Sequence, residues 1–280
     1  MSEDKIQKLK EFFNQRPEVS MAFIFGSHVK DRIISESDLD IAVYFKPAGR
    51  ELEWEEEKEY LGENELWLEI DKLAGQNTDL VVLNRAPSGL AYEILRSGIP
   101  LVIKDRNLYW RFFSLIGLAA EDFRQITKDW WAIKQRSQSL SEEDKQRLMR
   151  TVDFLETELA EIGKFKGINQ EEYKGNKDQR RNFERWAENI VNASIDVAKI
   201  ILASSKESLP ETYAEVLRSL GKFDDFDKET AEKLAEFAKL RNLLAHEYMD
   251  LRFEKIKKLL DSAEEFYGQL IKFSKKKING

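Results

Sequence analysis

The chain has 280 residues, enough for two ordinary domains, and its 42% hydrophobic and 35% charged content describes sizeable cores wrapped in charge-laced helices rather than disorder. The absence of cysteine excludes disulfides, thiolate metal sites and thiol nucleophiles, and a formal net charge of -7 argues against broad nucleic-acid binding through bulk charge while leaving room for a local basic cleft. No apolar run approaches membrane-spanning length and the N-terminus is charged and amphipathic, so a cytoplasmic protein with no membrane partner is expected.

Ile6, Leu9, Phe12 and Phe13 recur at helical spacing and predict a short amphipathic helix over residues 5–14. Residues 21–25 are an apolar run short enough for a buried strand. The run breaks at Gly26-Ser27, and Asp38-Leu39-Asp40 then leads into a second apolar run at 41–45. A strand repeats its facing every two residues, so Asp38 and Asp40 point to the same side. Two carboxylates on one rigid face repel unless something positive lies between them, and a divalent cation with oxygen ligands fits that gap. Gly26 permits close approach of backbone to a ligand, and the amides of a Gly-Ser turn suit a phosphate. Taken singly, Asp-x-Asp also reads as a solvated strand end and Gly-Ser as an ordinary turn; the spacing of the two is far more specific.

Residues 51–59 are dominated by glutamate with little to bury, which predicts a solvated helix or mobile loop. Leu66, Leu68, Ile70 and Leu73 predict a helix over 65–73 that Gly75 ends. A β-like run at 78–84, a helix from Pro87-Ser88 to Arg96 stopped by Gly98, and a strand at 99–103 follow. Trp110, Phe113, Ile116, Ala119, Phe123, Ile126 and Trp130 form an aromatic helical stripe over 108–133, read as core or interface packing. Composition shifts in the polar, serine-rich stretch 137–143, a linker that then caps a helix. Beyond it everything is helical. Leu148, Val152, Leu155, Leu159 and Ile162 form one bundle seam; Phe183, Trp186, Ala187, Ile190, Ser194, Val197 and Ile201 form another. A short helix between Pro210 and Gly221, then helices over 230–244 and 251–273, complete an up-and-down bundle.

The segment Arg241-Asn242-Leu243-Leu244-Ala245-His246-Glu247-Tyr248 closes one of these helices. On the residues alone, Arg241 caps a helix C-terminus and His246 satisfies the last carbonyls. In a regular helix Arg241 and Tyr248 share a face while His246 is offset by about 140° from the arginine. Unwinding near Ala245, with Asp250 capping the next helix, would let His246 swing toward Arg241.

The Gly26-Ser27 turn followed after ten residues by Asp38-x-Asp40 resembles the nucleotidyltransferase superfamily that includes DNA polymerase beta, and within it the minimal nucleotidyltransferases of prokaryotes. The resemblance implies an α+β domain over residues 1–138, a small mixed sheet with helices, closed by the terminal helix at 108–133. It also implies a third carboxylate, supplied by Asp79, and Mg²⁺ or Mn²⁺ held by Asp38, Asp40 and Asp79. ATP is the implied substrate, its β- and γ-phosphates held by Gly26 and Ser27. Where many members follow Gly-Ser with small residues, an arginine and a glycine, this chain has His28-Val29-Lys30-Asp31-Arg32, so the turn around the phosphates differs in shape.

Arg241, four residues, His246, one residue, Tyr248 is the signature of HEPN domains, the helical bundles of prokaryotic toxins and nucleotide-binding proteins. That resemblance implies an all-α up-and-down bundle over 139–280 and a homodimer through it, because the motif acts in a cleft formed by two bundles. His246 would act as acid or base on the ribose 2′-hydroxyl of RNA, and Arg241 would stabilise the developing phosphate charge. The chain thus resembles an antitoxin and a toxin fused: AMP moves from ATP to the HEPN tyrosine, Tyr248 in cis or in a partner, and silences a metal-independent ribonuclease. Two other functions stay open. One is a nucleotidyltransferase of the aminoglycoside-modifying kind whose helical domain binds a small molecule; the other is a non-catalytic bundle that holds a nucleotide or dimerises.

Overall fold

The first helix, α1 (Glu3–Asn14), turns its buried Leu9 and Phe13 onto a sheet that opens with β1 (Val19–Ile24), a strand whose six residues are all buried. The computed structural model describes residues 3–26, 38–49, 52–55, 57–136, 140–246 and 249–279. In chain order follow β2 (Leu39–Phe45), α2 (Glu63–Ala74), β3 (Thr78–Val82), α3 (Ser88–Ser97), β4 (Ile99–Ile103) and α4 (Arg106–Arg136). The sheet order is β3-β2-β1-β4, with β1 antiparallel to both β2 and β4, and β2 parallel to β3. A parallel neighbour needs a crossover, and α2 supplies it.

Helices cover both faces, which is why β1 from Met21 and β2 from Ile41 are apolar on both sides without alternation. Leu9 and Phe13 of α1 with Leu66 and Ile70 of α2 pack against Ile24, Ile41 and Val43. Ala91 and Ile94 of α3 with Phe112 and Ile116 of α4 pack against Phe23, Ala42 and Tyr44. Strand β3 is pinned at both ends. Gly75, in the left-handed region at φ 63°, closes α2, and the Asp71 carboxylate accepts from the Thr78 amide (2.8 Å) and hydroxyl (2.5 Å). At the far end Asn84 is fully buried; its Oδ1 accepts from the Phe45 amide at 2.8 Å and its Nδ2 donates to the Phe45 carbonyl at 3.1 Å. A side-chain amide here does the work of one more residue of β-ladder.

The glutamate-rich stretch departs from expectation. It is neither helical nor unanchored among its described residues: Leu52 is buried, the Trp54 indole donates to the Ala86 carbonyl at 2.9 Å, and the Tyr44 hydroxyl bridges the Glu53 amide and carbonyl at 3.0 Å each. The Glu53 carboxylate accepts from Lys58, the Ala48 amide and the Tyr60 hydroxyl. Aromatic anchors hidden among glutamates hold the segment to the domain.

The described residues form two compact units, Met1–Asp122 and Phe123–Gly280. Helix α4 serves both: Leu108, Phe112 and Ile116 belong to the sheet's core, while Ile126, Trp130 and Ile133 belong to the bundle's. Of the serine-rich linker, residues 137–139 lie outside the described residues, and domain limits of 1–138 and 139–280 stand as a proposal. The bundle comprises α5 (Glu142–Ala160), α6 (Gln170–Gly175), α7 (Lys177–Ser204), α8 (Tyr213–Arg218), α9 (Lys228–Ala238), α10 (Leu240–His246) and α11 (Met249–Asn279). Side-chain caps at Ser141, Asn169, Asn176, Thr212 and Asp227 start α5 to α9. Helix α7 is the central member, buried from Val197 through Ser204 without interruption. Two features differ from the sequence reading: α6 is an additional helix, and the helix expected over 230–244 breaks at Lys239 into α9 and α10. Among the described residues no helix is long and apolar enough to cross a membrane.

Replacing Asn84 with Asp removes the donor to the Phe45 carbonyl and places a carboxylate in a fully buried site. Asn84→Asp should lower the unfolding free energy of the first unit by about 2–4 kcal/mol at neutral pH, read from urea denaturation. A second expectation concerns acid. Burial pushes the Glu53 carboxyl up, but bonds from Lys58, the Ala48 amide and Tyr60 outweigh it and hold the group below its ordinary value. A depressed carboxyl contributes stability that is full above its unfolded value and lost as pH falls through the folded one. The urea midpoint of the wild type should therefore drop more steeply below the ordinary glutamate range than that of Glu53→Gln.

Candidate active sites

In the first unit, the parallel register sets the geometry. Asp40 of β2 is the direct partner of Asp79 of β3, with Leu39 level with Thr78. Partners in a ladder point to the same face; Asp38 stands immediately before β2, two residues from Asp40. That face also carries Ala42, Tyr44 and Val81, the side of the sheet covered by α3 and α4. Asp38 and Asp79 are exposed and Asp40 half-buried. The Phe25 amide donates to the Asp40 carbonyl at 3.1 Å, which carries the end of β1 alongside. Gly26 comes next, at φ +75°, in a conformation side chains rarely adopt. A Cβ built there would stand 2.7 Å from the Asp40 Cγ and collide with its carboxylate. Glycine is required twice over: for the backbone and for the aspartate beside it.

Ser27, the other expected phosphate-holding residue, lies outside the described residues. Three hard oxygen donors at one sheet end suit a divalent cation and no soft metal. As placed, no three His, Cys, Asp or Glu side chains among the described residues close around one point, so register supplies the donor set and not a finished cage.

In the second unit, Arg241 is the second residue of α10 and half-buried. Its Nε donates to Asn192 Oδ1 of α7 at 2.9 Å, and its Cζ lies 4.2 Å from the centre of the Tyr213 ring. Tyr213 is 2% exposed and is itself packed edge-on by Phe123, ring centres 5.3 Å apart. The structure thus brings Arg241 together with two residues from α7 and α8 that the sequence did not single out. His246 is the last residue of α10, and Tyr248 lies outside the described residues. Unwinding at Ala245 is not found: α10 continues through it, and Asp250 stands inside α11 rather than capping it.

Near the start of α11, Arg252 donates to Glu184 of α7 at 3.4 Å, and the buried Tyr173 hydroxyl donates to the same oxygen at 2.5 Å. Burial, and next the Glu184 carboxylate, push the Tyr173 phenol far up, so it stays a donor. Asn192, Tyr213 and this triad were missed because each partner lies many residues away in sequence. The one local signal was Asn192 itself, a polar residue between the buried Val191 and Ala193.

Comparison with known proteins divides the chain as the geometry does. Residues 7–107 match the family described as Polymerase beta, Nucleotidyltransferase, and residues 155–276 match that described as Ribonuclease HepT-like. The tRNA nuclease HepT of Aphanizomenon flos-aquae is 34% identical over 105 residues, 35% of this chain and 71% of that protein. A crystal structure of a toxin–antitoxin with AMP-PNP aligns at 21% identity and a TM-score of 0.35, over 48% of this chain and 95% of that one. A mutant of the MntA-HpeT toxin–antitoxin aligns at 20% identity, with the same TM-score and the same shares of both chains. The chain belongs to the HepT-like ribonuclease family and carries, in the same polypeptide, a nucleotidyltransferase domain of the polymerase beta family.

Proposed function

We propose that the protein is a fused toxin–antitoxin enzyme whose nucleotidyltransferase half moves AMP from ATP to the tyrosine of a HEPN motif and thereby silences a ribonuclease. The observation that carries the reading is the level pairing of Asp40 with Asp79 beside a glycine whose backbone conformation and whose contact with the Asp40 carboxylate both disfavour a side chain. Asp38, Asp40 and Asp79 would hold a divalent cation, Mg²⁺ or Mn²⁺, which supplies charge neutralisation at the α-phosphate when bound. Gly26 and Ser27 hold the β- and γ-phosphates. The tyrosine oxygen attacks the α-phosphorus, its proton passes to Asp79, the bond to the β-phosphate oxygen breaks, and pyrophosphate leaves. Asp79, exposed on the edge strand, is open to an incoming phenol.

The acceptor we propose is Tyr248, in the same chain or in a second copy. In the ribonuclease half, His246 moves the proton of the ribose 2′-hydroxyl and Arg241 meets the phosphate charge that develops. The name of the relative, a tRNA nuclease, suggests tRNA as the RNA. Two motifs facing one cleft would make the working form a homodimer through the bundle. An AMP on Tyr248, two residues from His246, brings a bulky anion to the arginine that RNA needs, so modification and cleavage exclude each other.

Intact-mass spectrometry after incubation with ATP and Mg²⁺ should show one or more added AMP groups, mapped by peptide analysis to Tyr248. Tyr248→Phe should lose the adduct and keep, or raise, cleavage of a tRNA transcript, while Asp38→Asn with Asp40→Asn should lose the adduct with unchanged helical content. An adduct on another residue, or equal modification of Tyr248→Phe, turns the reading toward a small-molecule nucleotidyltransferase. Gly26→Ala should cut the rate of AMP transfer at least a hundredfold, because the methyl group displaces the Asp40 carboxylate, and misplacement by about 1 Å costs on the order of 10²-fold. Pyrophosphate release by Gly26→Ala at the wild-type rate places the site elsewhere.

A further inference from the structure

We infer that Trp67 is the residue of the nucleotidyltransferase half that receives the ring of the acceptor tyrosine. The inference rests on the AMP-transfer reading above and adds to it where the acceptor binds and why that acceptor is aromatic.

Strand β3 is an edge of the sheet, and its residues turn their backbone groups alternately toward β2 and toward the open side. The Leu39 amide donates to the Asn77 carbonyl at 3.0 Å, and the Leu83 amide donates to the Val43 carbonyl at 2.8 Å. Thr78 is out of phase with both, so its amide and carbonyl face the open side. Helix α2 meets the two groups with residues four apart on one face. The Asp71 carboxylate accepts from the Thr78 amide at 2.8 Å, and the Trp67 indole donates to the Thr78 carbonyl at 2.7 Å. That carbonyl belongs to the peptide bond joining Thr78 to Asp79. A tethered indole therefore stands one peptide unit from Asp79, and the residue is still 43% exposed. Its N–H is already used, so what the exposed part offers a partner is apolar ring.

The order across the sheet decides what that ring meets. Gly26 follows β1, Asp40 lies on β2 and Asp79 on β3, and Trp67 lies at the open side of β3. In-line displacement puts the attacking and leaving oxygens on opposite sides of the phosphorus. With the β- and γ-phosphates at Gly26, pyrophosphate leaves on the β1 side, and the nucleophile arrives from the β3 side, where Trp67 stands. Both edge groups of Thr78 are bonded, so the arriving segment cannot pair there as an added strand and meets the ring instead. Aromatic rings attract one another beyond the area they bury, so an indole selects a phenol over an aliphatic hydroxyl. The covalent step is unchanged: the phenol oxygen bonds to the α-phosphorus, its proton passes to Asp79, and the bond to the β-phosphate oxygen breaks. Trp67 holds the ring and leaves the reacting atoms to the carboxylates.

The test follows AMP transfer in full chains of wild type, Trp67→Phe and Trp67→Gln at saturating ATP and Mg²⁺. Affinity for α,β-methylene ATP, which cannot release pyrophosphate, and thermal unfolding are measured alongside. Trp67→Phe keeps a ring and drops the donor to the Thr78 carbonyl, whereas Trp67→Gln keeps a donor and drops the ring. Trp67→Gln should add AMP on the order of tenfold more slowly than wild type, with nucleotide affinity unchanged. Trp67→Phe should stay close to the wild-type rate, even where the lost hydrogen bond lowers its unfolding temperature. Transfer by Trp67→Phe no faster than by Trp67→Gln overturns the inference and assigns the indole to pinning β3. Weaker nucleotide binding by Trp67→Gln also overturns it and puts the adenine on the indole. An adduct undiminished in Asp38→Asn with Asp40→Asn, or no adduct on the wild type, overturns the AMP-transfer reading, and the inference with it.

Discussion

Everything in the first unit depends on holding two carboxylates level on adjacent strands. Like charges at neighbouring ladder positions repel, so a fold that places Asp40 beside Asp79 must determine that register by other means. It does so from both ends of β3. Asp71 and Trp67 of the crossover helix grip Thr78, and the Asn84 amide locks onto the backbone of Phe45. A slip of one residue would turn Leu80 and Val82 out of the core as well, so hydrophobic burial and polar locking enforce one alignment. The antiparallel partner β1 then delivers Gly26 against Asp40, which is how a glycine fourteen residues upstream of the second aspartate becomes part of its site.

The bundle meets an analogous constraint with cations. Lys199, its side chain only 3% exposed, is held by Asp129 of α4 and Asp196 of its own helix at 3.1 and 2.6 Å, and Arg147 joins Asp129 at 2.8 Å. Burial pushes the Asp129 carboxyl up, yet bonds from Arg147 and Lys199 prevail and hold it below its ordinary range. Buried ammonium groups persist only when paired this way. These cations are spent on structure. Arg241, for its part, donates to the Asn192 amide oxygen of α7 and lies against the Tyr213 ring of α8.

Much of this was legible in sequence. Apolar runs marked β1 and β2, glycine marked the ends of α2 and α3, and the four-and-three spacing of Leu148, Val152 and Leu155 marked a bundle seam. The glutamate-rich stretch misled because charge count hides anchors: Leu52, Trp54 and Tyr60 fix it through contacts with Tyr44, Ala86 and Phe45. The break at Lys239 was invisible because lysine is a good helix former.

The sequence by itself determined which chemistry is available, because side-chain period and residue type are local: two aspartates on one strand face, a glycine before them, and Arg241, His246 and Tyr248 at fixed spacing. Tertiary structure decided which of these groups meet. That Asp79 lies level with Asp40, that Gly26 is pressed against the Asp40 carboxylate, and that Asn192 and Tyr213 take hold of Arg241 are facts of register and packing between residues that stand 14 to 49 positions apart. No local rule carries them. They follow from hydrophobic faces that can be buried together in only one alignment, and the polar groups come to their partners as a consequence.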